Sequence, residues 1–93
     1  MYAVRYRVWN GDASTFYWFD NKDTSVSKFQ AIVNDITADV DESNWNFSHN
    51  EYQDFIRKAL QTHRFDLSEI DDADYTLVEV IKLVDGKKYK VVN

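Results

Sequence analysis

The hydrophobic period changes twice along the chain, and this constrains the fold more than any single motif. Residues 2–9 alternate, with Val4, Tyr6 and Val8 on one side and Arg5 and Arg7 on the other, the pattern of a half-buried strand. Asn10-Gly11 follows; both residue types tolerate positive φ, so a two-residue hairpin turn is expected. Thr15–Phe19, β-branched and aromatic, is the returning strand, and such a turn sets Tyr17 opposite Val4 and Phe16 opposite Arg5. Over residues 24–40 the period becomes helical: Val26, Phe29, Ile32, Val33, Ile36 and Val40 share a face, with Thr24 or Ser25 as cap. A second helix opens on the capping box Ser48-His49-Asn50-Glu51, with Phe47 and Tyr52 placed as a hydrophobic staple. Its apolar stripe runs through Tyr52, Phe55, Ile56, Ala59, Leu60 and His63, and Asp54 can pair with Arg57 or Lys58 on the other side.

Residues 64–74 read as an irregular acidic connection pinned by Phe65, Leu67 and Ile70. Alternation then returns in a strand over Tyr75–Val84 and another over Lys87–Val92. A two-residue Asp85-Gly86 turn between them would pair Ile81 with Lys90 and mix polar with apolar residues on both faces. A three-residue loop with Gly86 left-handed in a bulge pairs Ile81 with Tyr89 and Lys82 with Lys88. It sorts Leu77, Ile81, Leu83, Tyr89 and Val91 inward and Lys82, Lys88 and Lys90 outward, and faces that sort specify register, so the bulged turn is expected. The order ββααββ predicts an α+β fold: a four-stranded, mostly antiparallel sheet with two helices packed on one face, forming a single domain over 1–93.

Ninety-three residues can bury a core without staples, and the 16% aromatic content helps. The absence of cysteine excludes disulfides and thiolate metal sites, which favours a cytoplasmic protein. The alternating, arginine-bearing start MYAVRYRVW does not resemble a secretion signal, and no apolar run approaches the roughly 20 residues of a membrane span.

Charge is distributed unevenly. Residues 1–34 hold four basic and three acidic groups, residues 35–74 three basic and eleven acidic, and residues 75–93 four basic and two acidic. The middle segment is therefore net −8, while the two sheet-forming ends are mildly basic. Asp35 and Asp39, four apart near the C-terminal end of their helix, repel each other and oppose the helix dipole, so they do not stabilise it. Twelve of the sixteen acids are Asp, a poor helix former; short, stiff carboxylates suit fixed charge positions, although an acidic surface also serves solubility alone. The candidate partner-binding acids are Asp35, Asp39, Asp41, Glu42, Asp54, Asp66, Glu69, Asp71, Asp72 and Asp74.

The sheet face away from the helices is the second candidate surface, with Arg5, Arg7, Phe16, Trp18, Lys82, Lys88 and Lys90, and Val78 and Val80 between them. Basic and aromatic groups interleaved in this way suit a partner or dimer interface, or stacked bases. They equally suit cross-strand packing with cation–π pairs such as Arg5 on Phe16. Direct nucleic-acid binding is disfavoured by the net charge of −5.

No catalytic signature survives scrutiny. Two widely separated glycines exclude a phosphate loop, a dinucleotide fingerprint and a nucleophile elbow. Asp39, Asp41 and Ser43 begin like a calcium loop, but Asn44 stands where glycine is needed and Asn50 where the bidentate glutamate belongs. His49 and His63 are fourteen residues apart, about 21 Å along a helix, and cannot share one zinc. Asn46-Phe47-Ser48 matches a glycosylation sequon without any accompanying secretion signal. No cofactor and no enzymatic activity are expected.

In overall character the chain resembles small phage-encoded inhibitors of bacterial defence, the anti-CRISPR type. The resembling features are its 93 residues, lack of cysteine, aromatic richness and acids clustered as Asp35, Asp39, Asp41 and Glu42, then Asp66, Glu69, Asp71, Asp72 and Asp74. The resemblance implies a protein that occupies a basic, nucleic-acid-binding groove of a host nuclease complex and mimics phosphate charge. The alternatives are an immunity protein or antitoxin neutralising one toxin, and a homodimerising subunit that uses the aromatic sheet face.

Overall fold

The computed structural model describes residues 1–7, 14–38, 48–70 and 76–91. Strands β1 (Tyr2–Arg7) and β2 (Thr15–Phe19) are followed by helices α1 (Lys22–Ala38) and α2 (His49–Thr62), then by β3 (Arg64–Asp66), a 3₁₀ turn (Leu67–Glu69), β4 (Leu77–Val84) and β5 (Lys87–Lys90). All strand pairs are antiparallel, and both helices contribute to a single core on one side of the sheet, as expected for the α+β architecture.

The sheet runs β2-β1-β4-β3, with β5 also on β4. β3 pairs with Leu77–Glu79 and β5 with Ile81–Val84, so the two short strands share one edge of β4 end to end. Val80 bridges the seam: its N–H donates to the His63 carbonyl at 3.0 Å, and its carbonyl accepts from Val91 N–H at 3.2 Å. β3 is an addition to the expected topology. Three residues are too few to show a period, and this strand exists because β4 offers it an edge.

The first hairpin takes the expected register, Val4 opposite Tyr17 and Arg5 opposite Phe16; its turn lies outside the described residues. Helix α1 starts earlier than expected. Its cap is Asn21, whose Oδ1 accepts from Thr24 N–H at 2.8 Å and from the Thr24 hydroxyl at 2.7 Å. Ser25 is fully buried and donates its hydroxyl to the Lys22 carbonyl. Helix α2 begins as expected, with Ser48 Oγ accepting from Glu51 N–H at 3.1 Å. It ends on His63, which adopts the left-handed conformation at φ 55 and returns its N–H to the Ala59 carbonyl. The staple residue Phe47 and the helical position Val40 lie outside the described residues.

The second hairpin overturns the expected bulge. Ile81 faces Lys90, Lys82 faces Tyr89, and Asp85-Gly86 forms a two-residue turn with φ 51 and 79. Positive φ at both central residues is what such a turn needs to match strand twist. Directly opposed residues share a face, so Val78 and Val80 point to the helices beside Val4, and Ile81 and Leu83 point away. The face-sorting criterion fails because β4 is a central strand: Leu77, Val78, Glu79, Val80 and Ile81 are all buried. On the helix side, Phe29 and Val33 of α1, Ala59 of α2 and Phe65 of β3 pack against Val4, Val78 and Val80.

Candidate interaction surfaces

The outer sheet face bears Arg5, Arg7, Phe16, Trp18, Lys88 and Lys90, as expected from alternation. Lys82 does not belong to it. The two-residue turn places it on the helix side, opposite Tyr2, where its Nζ lies 5.7 Å from the Tyr2 ring centre. Val78 and Val80 likewise leave this face for the core.

At the centre of the outer face is a buried carboxylate that sequence inspection passed over. The register lines up Arg5 of β1, Glu79 of β4 and Arg64 of β3 in one row. Glu79 Oε1 lies 3.4 Å from Arg5 Nη1, and its Oε2 lies 3.6 Å from Arg64 Nε. Arg5 also donates from Nε to Ser14 Oγ at 2.9 Å, and Arg64 reaches Asp66 Oδ2 at 3.4 Å. Asp66 in turn accepts from the Ser68 N–H and hydroxyl, holding the 3₁₀ turn. The cue in the sequence is a lone acid, Glu79, inside a β-branched strand; its partner Arg64 is brought to it only because β3 exists.

The aromatic part of the face packs on itself. Phe16 and Trp18 stack at 5.8 Å, and Lys88 Nζ sits 4.8 Å from the Phe16 centre. The cation on Phe16 is thus Lys88 rather than Arg5. Lys88 on β5 and Phe16 on β2 are separated by β4 and β1, so they meet by reaching across the face. On this side, which carries no helix, Ala3 opposite Trp18 and Ile81 opposite Lys90 are only 0% and 5% exposed. Trp18 remains 46% exposed.

The acids are placed differently. Asp35 and Glu69 are exposed and make no ion pair among the described residues. Asp54, also exposed, meets Arg57 Nη2 at 3.2 Å. Asp66 stands on the outer sheet face, opposite Leu77 and paired with Arg64. Asp39, Asp41, Glu42, Asp71, Asp72 and Asp74 lie outside the described residues, as do the calcium-like loop and the sequon asparagine. Among the described residues, no group of His, Asp and Glu gathers that could hold a metal ion. Nor is any helix long and apolar enough to cross a membrane.

A cleft of about 330 Å³ opens where the β3–β5 seam meets the C-terminal half of α2. Phe55, Ala59, Val80 and Val91 give it apolar walls; Lys58, Arg64 and Lys90 bring cations to it, and Glu69 and Glu79 carboxylates. His63, 3% exposed, is part of its wall. Its Nδ1 lies 3.0 Å from the Val91 carbonyl, which can only accept, so Nδ1 carries the hydrogen. The histidine read as a helix-terminal residue thus also ties α2 to the end of β5. Comparison of the chain with family models, with curated proteins and with solved structures finds no match in any of the three.

Proposed function

We propose that this protein is a non-catalytic inhibitor that binds the basic nucleic-acid-binding groove of a host nuclease or defence complex and excludes nucleic acid by charge mimicry. The observation that carries the reading is an imbalance in how the charges are used. Many cations are committed within the molecule: Arg5 and Arg64 to Glu79, Arg57 to Asp54, Lys28, Lys82 and Lys88 to the faces of Tyr17, Tyr2 and Phe16. The segment 35–74 has three cations against eleven acids, and two of those cations, Arg57 and Arg64, are among the committed ones. This excess of acid over base within one segment is what a basic partner would be attracted to at long range.

The test is capture from a lysate of bacteria that carry a CRISPR defence system, repeated with Asp71, Asp72 and Asp74 changed to Asn. The expected partner is a nucleic-acid-binding enzyme that is lost from the variant, lost at about 0.5 M salt, and displaced by its own nucleic acid. A partner retained by the variant and at high salt would refute charge mimicry. If the captured partner is a toxin, the same acidic surface makes the protein an immunity protein or antitoxin.

Strand β2 favours a second reading. Its outer edge has no partner among the described strands, and Tyr17 and Trp18 are 36% and 46% exposed. An aromatic edge without a lysine or proline in the strand is poorly protected against strand addition, which suits a homodimer. Sedimentation at rising concentration tests it; a persistent monomer overturns it.

A further inference from the structure

We infer that the cleft at the β3–β5 seam is a binding site for a small aromatic carboxylate that also bears a hydrogen-bond donor. Four observations meet there. The volume, about 330 Å³, lies at the lower end of small-molecule pockets, roughly 300–1,000 Å³. Phe55, Ala59, Val80 and Val91 offer an apolar bed for a ring. Lys58 and Lys90 stand at its border with no carboxylate in ion-pair range among the described residues, although the other basic residue there, Arg64, is shared between Asp66 and Glu79.

The fourth observation is His63. Its Nδ1–H is held by the Val91 carbonyl and its ring packs edge-on against Phe29, so its orientation is fixed. Its Nε2 has no protein partner among the described residues, yet it is not among the polar atoms sealed from solvent. For a side chain 3% exposed that forms part of the cleft wall, the cleft is that opening. With Nδ1 protonated, the neutral ring presents a lone pair at Nε2 and accepts a hydrogen from a ligand hydroxyl or N–H. The chemistry is thus an acceptor on the wall, an apolar bed, and two ammonium groups with no ion pair among the described residues. Of the two carboxylates at the border Glu79 is held by Arg5 and Arg64, so that with exposed Glu69 the lining still carries three cations against two acids. Glu69, one of the candidate partner-binding acids, borders this site, but ligand binding here does not depend on charge mimicry.

The experiment is an NMR titration of the full chain with 3-(4-hydroxyphenyl)propionate, in parallel with its uncharged amide and with 3-phenylpropionate, which lacks the hydroxyl. Binding should saturate and move the imidazole nitrogen resonances of His63 while leaving those of His49, at the far end of α2, in place. The amide should bind about tenfold more weakly, as should the acid to the Lys58→Ala/Lys90→Ala variant, whose two changes are at exposed positions. The ligand without the hydroxyl should bind more weakly and shift His63 less. No movement of the His63 signals up to about 10 mM ligand, equal binding of acid and amide, or full affinity in the double-lysine variant would each overturn the inference.

Discussion

Replacing Glu79 with Gln isolates the electrostatics of the outer face with almost no change of shape. The carboxylate offers two acceptor oxygens, one to Arg5 at 3.4 Å and one to Arg64 at 3.6 Å. Gln keeps a single acceptor and turns an NH₂ donor toward one of the two guanidiniums. The Glu79 side chain is 9% exposed, which by itself would make breaking the pair cost about 3–5 kcal/mol. The arginines are 35% and 37% exposed and can rehydrate, and exposed pairs contribute about 0–1 kcal/mol. Between these limits the loss should be about 2 kcal/mol. For a domain of 93 residues each kcal/mol shifts the melting temperature by about 4–8 °C, so the midpoint should fall by about 10 °C. Urea titrations of wild type and Glu79→Gln, repeated with both arginines changed to Ala, form the cycle that measures the coupling. A loss below about 0.5 kcal/mol, or one equally large without the arginines, would refute the clamp.

Three further changes probe the elements that position the surfaces. Phe65→Ala empties a fully buried site against Phe55 and should cost about 3–5 kcal/mol in chemical denaturation, whereas Phe65→Leu should cost far less. Gly86→Ala meets no neighbour, so its cost of about 1 kcal/mol comes from the backbone at φ 79 alone and should appear as a lower denaturation midpoint with an unchanged slope. Ser48→Ala removes the acceptor for Glu51 N–H and should cost about 1 kcal/mol, with faster amide exchange confined to the first turn of α2.

What was legible in the sequence was local. Alternation in 2–7 and 15–19 together with Asn10-Gly11 was enough to set Val4 opposite Tyr17, because a hairpin register depends on few residues. Ser48 and Glu51 placed the start of α2 for the same reason. The failures were non-local. Lys82 was assigned to the wrong face because sorting polar from apolar presumes one wet side, and β4 from Leu77 to Ile81 has none. β3 was invisible because nothing in Arg64-Phe65-Asp66 is strand-like until Leu77–Glu79 lies beside it. The His63 cleft was out of reach because it forms where β3, β5 and α2 converge, with His63 and Val91 alone separated by 28 residues.

The same non-locality explains why a charge count by segment treats the two surfaces unequally. In the sheet, folding brings cations to carboxylates and rings from distant positions: Arg5 to Glu79 is a separation of 74 residues, and Lys88 crosses two strands to Phe16. The basic excess of the chain ends is thereby partly taken up by the Phe16 ring and by a clamp around a buried acid. In segment 35–74 the ion pairs among the described residues are Arg57 with Asp54, and Arg64 with both Asp66 and Glu79 of β4, so three cations stand against eleven acids and one of the three is shared with an acid outside the segment. Lys58 is the remaining cation there, and it borders the cleft. The outer sheet face, with Lys88 over Phe16 and with Arg5 and Arg64 on Glu79, commits three of its cations within the fold and is thereby better suited to holding the fold together than to recruiting a polyanion.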